Sequence, residues 1–246
     1  IAGNPIPPGV QVTYHETMSD ANNNVNRIQN IGAYQNAVAN MQTIYVRVGY
    51  LNSSCSAIVT LQLIVNASPV IVDPSPLTAC DSDNNGIANF DLTSKITEIL
   101  NGLNPLDYVV TFYTSSANAQ AGINEITSPT NYSNLTASSV DVRVQNIHTG
   151  CFSITKLVLV TNPTPVVANP VATYSLCDDN FDGFQVFDIA SKIPVITGSQ
   201  TGLQVTFHYS LADANSGSNP LVSPYQNIVQ NVQTLYVRVQ RLSTGC

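Results

Sequence analysis

Ile44-Tyr-Val-Arg-Val48, Val140-Asp-Val-Arg-Val144 and Leu235-Tyr-Val-Arg-Val239 carry one phrase three times, and each is followed seven residues later by a cysteine: Cys55, Cys151 and Cys246. Inside the phrase Ile44, Val46 and Val48 alternate with Tyr45 and Arg47, the period of two that marks a half-buried strand. Arg47, Arg143 and Arg238 stand 96 and 95 residues apart. That spacing is one small domain, so the 246 residues read as a tandem array and not as one fold. Repeated modules build length, valency or surface, whereas an enzyme needs one asymmetric pocket.

Working outward, Val12-Thr-Tyr14, Val110-Thr-Phe112 and Val205-Thr-Phe207 supply a second strand in register across the repeats. Turn-rich stretches between the strands carry a recurring Tyr-x-Asn: Tyr34 with Asn36, Tyr132 with Asn134, Tyr225 with Asn227. Short strands with turn signals over roughly 95 residues predict an all-β fold, with Ig- or fibronectin-III-like antiparallel β-sandwich modules in an elongated array. Asp91 to Leu100 places Leu92, Ile96, Ile99 and Leu100 at helical spacing behind a candidate cap, Asp91 or Thr93. In the third repeat Pro194 is expected to limit the matching helix to about a turn. Pro-rich segments, 67–76 and 162–170, are expected to be semi-rigid spacers. The expected domains are 1–73, 74–168 and 169–246, the first incomplete at its N-terminal side and the last at its C-terminal side. Leu77-Thr-Ala-Cys80-Asp81 and Tyr174-Ser-Leu-Cys177-Asp178 open two repeats, nothing equivalent precedes the first Val-Arg-Val phrase, and the third stops at Cys246. The chain therefore reads as a window on a longer array.

Charged residues make up only 9% of the chain, and 43% are hydrophobic, enough for a core in each repeat. A net charge of −7 with eight scattered basic residues excludes nucleic acid as the expected partner. No stretch approaches the roughly 18 apolar residues of a membrane span, so the segment is expected not to span a membrane.

Five cysteines are odd, but Cys80 with Cys151 and Cys177 with Cys246 give one expected disulfide per repeat, 71 and 69 residues apart, leaving Cys55 over. Closing such a loop contributes roughly 4 kcal/mol in the chain-entropy account, and it implies an oxidising, extracytoplasmic compartment. Five unpaired thiols are the plainer alternative; zinc ligation lacks the spacing.

After each opening cysteine, Asp81-Ser-Asp83-Asn-Asn85-Gly86 runs on to Asp91, and Asp178-Asp-Asn180-Phe-Asp182-Gly183 runs on to Asp188. Oxygen-bearing residues at alternate positions before a Gly turn are how a calcium loop wraps a hard cation. The candidate metal residues are Asp81, Asp83, Asn85, Asp91, Asp178, Asn180, Asp182 and Asp188, with calcium the candidate ion. Leu92 and Ile189 occupy the place of the usual twelfth-position Glu, and a tight Asx turn without an ion is the alternative. Catalysis is not expected. His15, His148 and His208 are dispersed, and no serine-hydrolase, zincin or phosphate-loop motif occurs. His15 and His208 share a repeat position that holds Tyr113 in the middle repeat, which reads as a strand-surface site. With no Trp, Tyr45 and Tyr236 are the candidates for sugar stacking.

Cys-Asp-x-Asx-x-Asx-Gly, Phe-Asp-Leu/Ile, Val-Thr-Phe, Ser-x-x-Asp-Ala (Ser210 to Ala214), Gln-Thr-Ile/Leu-Tyr-Val-Arg-Val and Thr-Gly-Cys together resemble the repeat modules of the very large surface adhesins of gliding Bacteroidetes, the SprB-like gliding-motility adhesins. The middle repeat departs, with Ser138-Ser-Val-Asp141 in place of Gln-Thr-Ile-Tyr. The resemblance implies export by the type IX secretion system, display on the cell surface, and carriage by the gliding machinery of the full-length protein. The expected function is a multivalent extracellular shaft that attaches to a surface or polysaccharide. A passive spacer array, or accessory modules of a secreted carbohydrate-active enzyme, are the alternatives.

Overall fold

In the first repeat β1 (Val10–His15) pairs antiparallel with β2 (Met41–Tyr50), and β2 pairs with β3 (Ser56–Ile64). The register sets Thr13 opposite Arg47, and Ile44 and Val46 are buried, as their alternation predicts. This is a computed structural model, and it describes residues 6–51, 53–167, 171 and 173–246. The expected boundary at 168/169 and the end of the second Pro-rich segment lie outside the described residues.

Helix α1 (Met18–Asn23) follows β1. Thr17 is its N-cap: its hydroxyl oxygen accepts the Asp20 N–H at 3.0 Å, and its O–H donates to Asp20 Oδ2 at 2.6 Å. Ser210 and Asp213 repeat this box in the third repeat at 3.0 and 2.6 Å. The Ser-x-x-Asp-Ala phrase is therefore a helix start, with the Ala (Ala21, Ala214) buried beneath it. Those hydrogen bonds, the Thr17 and Ser210 hydroxyls first and the Asn26 and Asn219 amides second, hold Asp20 and Asp213 below the usual carboxylate range.

The second repeat runs β4 (Leu77–Asp81), β5 (Asn89–Phe90), α2 (Ile96–Leu100), β6 (Tyr108–Tyr113), α3 (Ser116–Ala121), β7 (Tyr132–Ser133), β8 (Ser139–Asn146) and β9 (Phe152–Pro163). One sheet has the order β4-β9-β8-β6, and β5 pairs with β7. The purely antiparallel expectation fails at one place: β4 lies parallel to β9, with Leu77 level with Leu159 and Cys80 level with Asn162. The core gathers Phe90, Leu92, Ile99, Leu100, Phe112, Val140, Val142, Val144, Leu157 and Leu159, all buried. Each fully buried aliphatic side chain of this kind contributes about 1.5–3 kcal/mol.

The third repeat has β10 (Val186–Phe187), α4 (Ile193–Thr197), β11 (Leu203–His208), α5 (Leu211–Ser216), β12 (Tyr225–Gln226) and β13 (Tyr236–Arg241). Only the pairs β10–β12 and β11–β13 form among the described residues. Its buried cluster is smaller: Ile189, Ile196, Phe207 and Tyr225. Helix α4 is five residues long, little more than the expected turn, but Pro194 is not what ends it. It sits in the first turn of α4, where its missing N–H has no intrahelical partner to lose, and the helix runs on to Thr197.

The recurring arginine closes the next link. Arg143 Nη1 donates to Ala119 O and Gln120 O at 2.9 and 3.0 Å, and Arg238 Nη1 to Ala214 O and Asn215 O at 3.0 and 2.7 Å. A cation on the carbonyls at a helix C-terminus satisfies acceptors that the helix leaves open. The Val-Arg-Val phrase thus combines two core residues with a clamp on α3 or α5.

The residues group into two compact units, Ile1–Pro69 with Asn146–Phe152, and Val70–Gln145 with Ser153–Cys246. The second and third repeats fall in one unit, and the hairpin turn 146–152 is grouped with the first repeat. The Pro-rich stretch from Val70 is docked, not a free spacer. Val72 N–H donates to Ile99 O at 3.2 Å, Ile71 packs on the second core, and Ser75 bonds to Glu98. Lys95 and both Ser75 donors hold the Glu98 carboxyl down at about 2.

Candidate functional site

Strand β4 ends in the first Asx loop, and the loop geometry follows from its sequence. Asp81 Oδ2 accepts the Gly86 N–H at 2.6 Å, Asn85 Nδ2 donates to Asp83 Oδ2 at 2.7 Å, and Asn85 Oδ1 accepts the Ile87 N–H at 2.7 Å. Gly86 has φ +86°, a left-handed turn that favours glycine. In the third repeat Asp178 Oδ2 accepts the Gly183 N–H at 2.7 Å, while its Oδ1 accepts from Asn180 N and Phe181 N at 3.3 and 3.0 Å. Asn180 Nδ2 donates to Asp182 Oδ2 at 2.8 Å. Gly183 is required twice over, by φ +80° and because a Cβ there would come within 2.3 Å of Gln230 Cγ.

The two carboxylates that open the loops differ. Asp178 is half-buried with both oxygens hydrogen-bonded. Asp81 is 3% exposed, and its Oδ1 is buried without a hydrogen-bond partner. Burial pushes the Asp81 carboxyl up, but the Gly86 N–H, the Asp83 carboxyl and the Asn85 and Asn84 N–H groups outweigh it, so the group stays below the usual range.

The structure brings Asp81, Asp83 and Asn85 together in one loop and Asp178, Asn180 and Asp182 in another. Asp91 and Asp188 serve the next element instead. Asp91 Oδ1 caps the 3-10 turn Leu92–Lys95 through Thr93 N at 3.0 Å, and Asp188 Oδ1 caps Ile189–Lys192 through Ser191 N at 3.3 Å and takes the Ser223 hydroxyl at 2.8 Å. Among the described residues no three His, Cys, Asp or Glu side chains converge as metal ligands.

The Tyr-x-Asn phrase, which the sequence reading left without a role, clamps these loops. Asn134 Oδ1 accepts the Ala88 N–H at 2.8 Å, and its Nδ2 donates to Gly86 O at 3.3 Å. Asn227 does the same to Gln185 N and Gly183 O, at 2.7 and 2.9 Å. The signal was available, since an Asn recurring at one register position beside a strand is a ready bridge for an unpaired turn.

The two histidines expected on a strand surface, His15 and His208, do not lie there, whereas His148 is exposed. His15 and His208 are fully buried, with Nδ1 2.7 Å from Val25 O and Ser218 O, and Nε2 2.9 and 2.8 Å from the hydroxyls of Thr13 and Thr206. A carbonyl can only accept, so Nδ1 carries the proton and the ring ties its strand to the following loop. Tyr113, the counterpart in the middle repeat, is buried too.

Cys80 bonds to Cys246, with Cα atoms 5.4 Å apart and a sequence separation of 166. This corrects the expected pairs Cys80–Cys151 and Cys177–Cys246, and the parallel strand explains why. Cys80 is level with Asn162, whereas Cys151 stands before the far end of β9. Eleven residues at about 3.3 Å each put it roughly 36 Å away, far beyond the separation a disulfide tolerates. Cys55, Cys151 and Cys177 are thiols. The bond joins the opening strand of the second repeat to the Thr-Gly-Cys turn of the third. Beside it, Thr164 donates through its N–H and its hydroxyl to Asp81 O at 3.3 and 3.1 Å. A cleft of about 470 Å³ opens there, lined by Cys80, Thr164, Leu211, Tyr236 and Cys246.

Among the described residues no helix is long and apolar enough to cross a membrane. No curated protein matches the chain. The family model described as the Flavobacterium inter-domain disulphide bond domain matches residues 1–69, 76–165 and 173–246. Three matches span most of the sequence, and the Cys80–Cys246 bond crosses from the second matched region to the third. The chain belongs to the Flavobacterium inter-domain disulphide bond domain family.

Proposed function

We propose that this chain is a segment of a repetitive extracellular adhesin: a multivalent shaft that attaches a cell to a surface or polysaccharide and, in a gliding cell, transmits traction. Its modules close as Ig- or fibronectin-III-like β-sandwiches. The work is binding and load transfer, not catalysis. In this reading type IX secretion delivers the full-length protein and the gliding machinery moves it.

The observation that carries the reading is the crosslink between repeats. A disulfide with a sequence separation of 166 withholds roughly 580 Å of extensible chain at about 3.5 Å per residue. Tension on the array then passes from one repeat to the next through a covalent bond, not through a Pro-rich joint alone. Such a bond also needs an oxidising compartment, which supports display outside the cytoplasm. Cys151 supports the same register one step earlier. Its Sγ is 3.6 Å from Asn66 O, and Asn66 is the counterpart, 96 residues earlier, of the Asn162 that lies level with Cys80. In an array that extends this register, each Thr-Gly-Cys cysteine bonds back to the opening strand of the repeat before.

Attachment is tested with beads coated at graded density with the chain and held under flow on polysaccharide-coated glass. Retention that rises more steeply than density is expected, because weak contacts sum by avidity. Beads that wash off at every density sink the adhesin reading and leave the passive spacer.

A further inference from the structure

The shaft reading leaves the Asx loops without a task. We propose that the Asp81–Gly86 loop of the second repeat holds a divalent hard cation, calcium by its donor chemistry, and that the matching Asp178–Gly183 loop does not. The observation that carries this is the Asp81 side chain. The residue is 3% exposed, Oδ2 is fixed by the Gly86 N–H at 2.6 Å, and Oδ1 is shut from solvent with no hydrogen bond of its own, the Asn84 and Asn85 N–H groups standing near the carboxylate without closing on it. A buried carboxylate oxygen without a partner is costly, and a cation beside it removes the cost. The Asp83 carboxyl stands against the same carboxylate, and Asn85 stands against Asp83. The third-repeat loop is the internal control: both Asp178 oxygens already accept N–H groups, and the residue is only half-buried.

Two carboxylates, an amide side chain, loop carbonyls and water make an all-oxygen donor set. Calcium accepts six to eight such oxygens in irregular geometry, whereas magnesium demands a near-ideal octahedron and gives up water reluctantly. With no third carboxylate converging among the described residues, the expected dissociation constant is about 10⁻⁴–10⁻³ M, the range of weak extracellular modules. The place has a consequence. Asp81 follows Cys80 directly, and its carbonyl holds Thr164, so an ion here stiffens the strand end to which the third repeat is bonded.

The test is calorimetric titration of calcium chloride into the chelator-stripped 246-residue chain, with magnesium chloride in parallel. One calcium site is expected, weakened about tenfold or more by Asp81→Asn, unchanged by Asp178→Asn, and weaker for magnesium. Asn retains an acceptor for the Gly86 N–H, and peptide mapping of Cys80–Cys246 checks that the variant folds; if it does not, Asp83→Asn answers the same question. No binding of calcium at millimolar concentration, two equal sites, or loss in Asp178→Asn alone overturns the proposal. Equal affinity for magnesium overturns the calcium assignment. None of these outcomes bears on whether the array adheres.

Discussion

The second and third repeats spell nearly the same strands but bury them differently. Val142 and Val144 are fully buried, whereas their counterparts Val237 and Val239 are only partly covered. The difference is β9. Strand β8 is flanked by β9 and β6, and β9 adds Leu157 and Leu159 to the core, whereas β13 pairs with β11 alone among the described residues. The same absence explains residues 173–178, which match β4 in sequence yet form no strand. A strand needs a neighbour for its backbone groups, and β4 has β9. The alternating phrase makes a strand; the partner decides how much that strand contributes to stability.

If the thinner repeat leans on its crosslink, reduction of Cys80–Cys246 has the largest effect. A bond closing a loop of this size is worth about 5 kcal/mol in the chain-entropy account. With dithiothreitol, hydrogen exchange is expected to rise first in β11 and β13 and least in β8 and β9. Equal acceleration in both repeats, or none, breaks the comparison by showing that the third core stands without its tether.

Next in size is the core itself. Leu157→Ala removes a fully buried side chain and is expected to cost about 3 kcal/mol, whereas Val237→Ala in the half-covered sheet should cost about 1 kcal/mol or less. Urea unfolding of the full chain, followed separately for the two repeats, measures both. Equal costs mean that β9 does not seal the second core.

What the sequence made legible was local. The alternation of Ile44 to Val48 and its two copies gave the strands, and Asp91 followed by an apolar period gave a capped helical turn. Pro194 pointed to the right length for the wrong reason: α4 is five residues, but the proline sits in its first turn and opens the helix instead of ending it. His15 and Tyr113 misled outright: exchange between two polar-tipped rings suggested a surface, yet both sit in a slot that buries the ring. The disulfide register was not legible at all. It depends on β4 running parallel to β9, a pairing between residues about 80 apart in sequence that no local pattern announces, and cysteine counting favoured the wrong neighbour. The Asx loops were visible as motifs, but the difference between Asp81 and Asp178 arises from burial by the surrounding chain.

The smallest expected effect concerns the one phrase in which the middle repeat departs. In the first repeat Gln42 Nε2 donates to Tyr34 Oη at 2.9 Å, and in the third the Tyr225 hydroxyl donates to Gln233 Oε1 at 3.0 Å. Ser138 stands at that position in the second repeat, too short to reach, and the Tyr132 hydroxyl is buried without a partner. Asp141, which replaces the tyrosine of the same phrase, has instead found Lys156 at 3.3 Å. Ser138→Gln is therefore expected to stabilise the second repeat by about 1 kcal/mol, because a buried hydroxyl regains its hydrogen bond. Added length alone could do this by packing, so the measurement is a cycle with Tyr132→Phe. In the wild type Tyr132→Phe deletes an unsatisfied group and should be neutral or stabilising; in the Ser138→Gln background it should cost about 1 kcal/mol. A coupling near zero means that the glutamine does not reach the ring, and that the second repeat tolerates its orphaned hydroxyl because its larger core compensates.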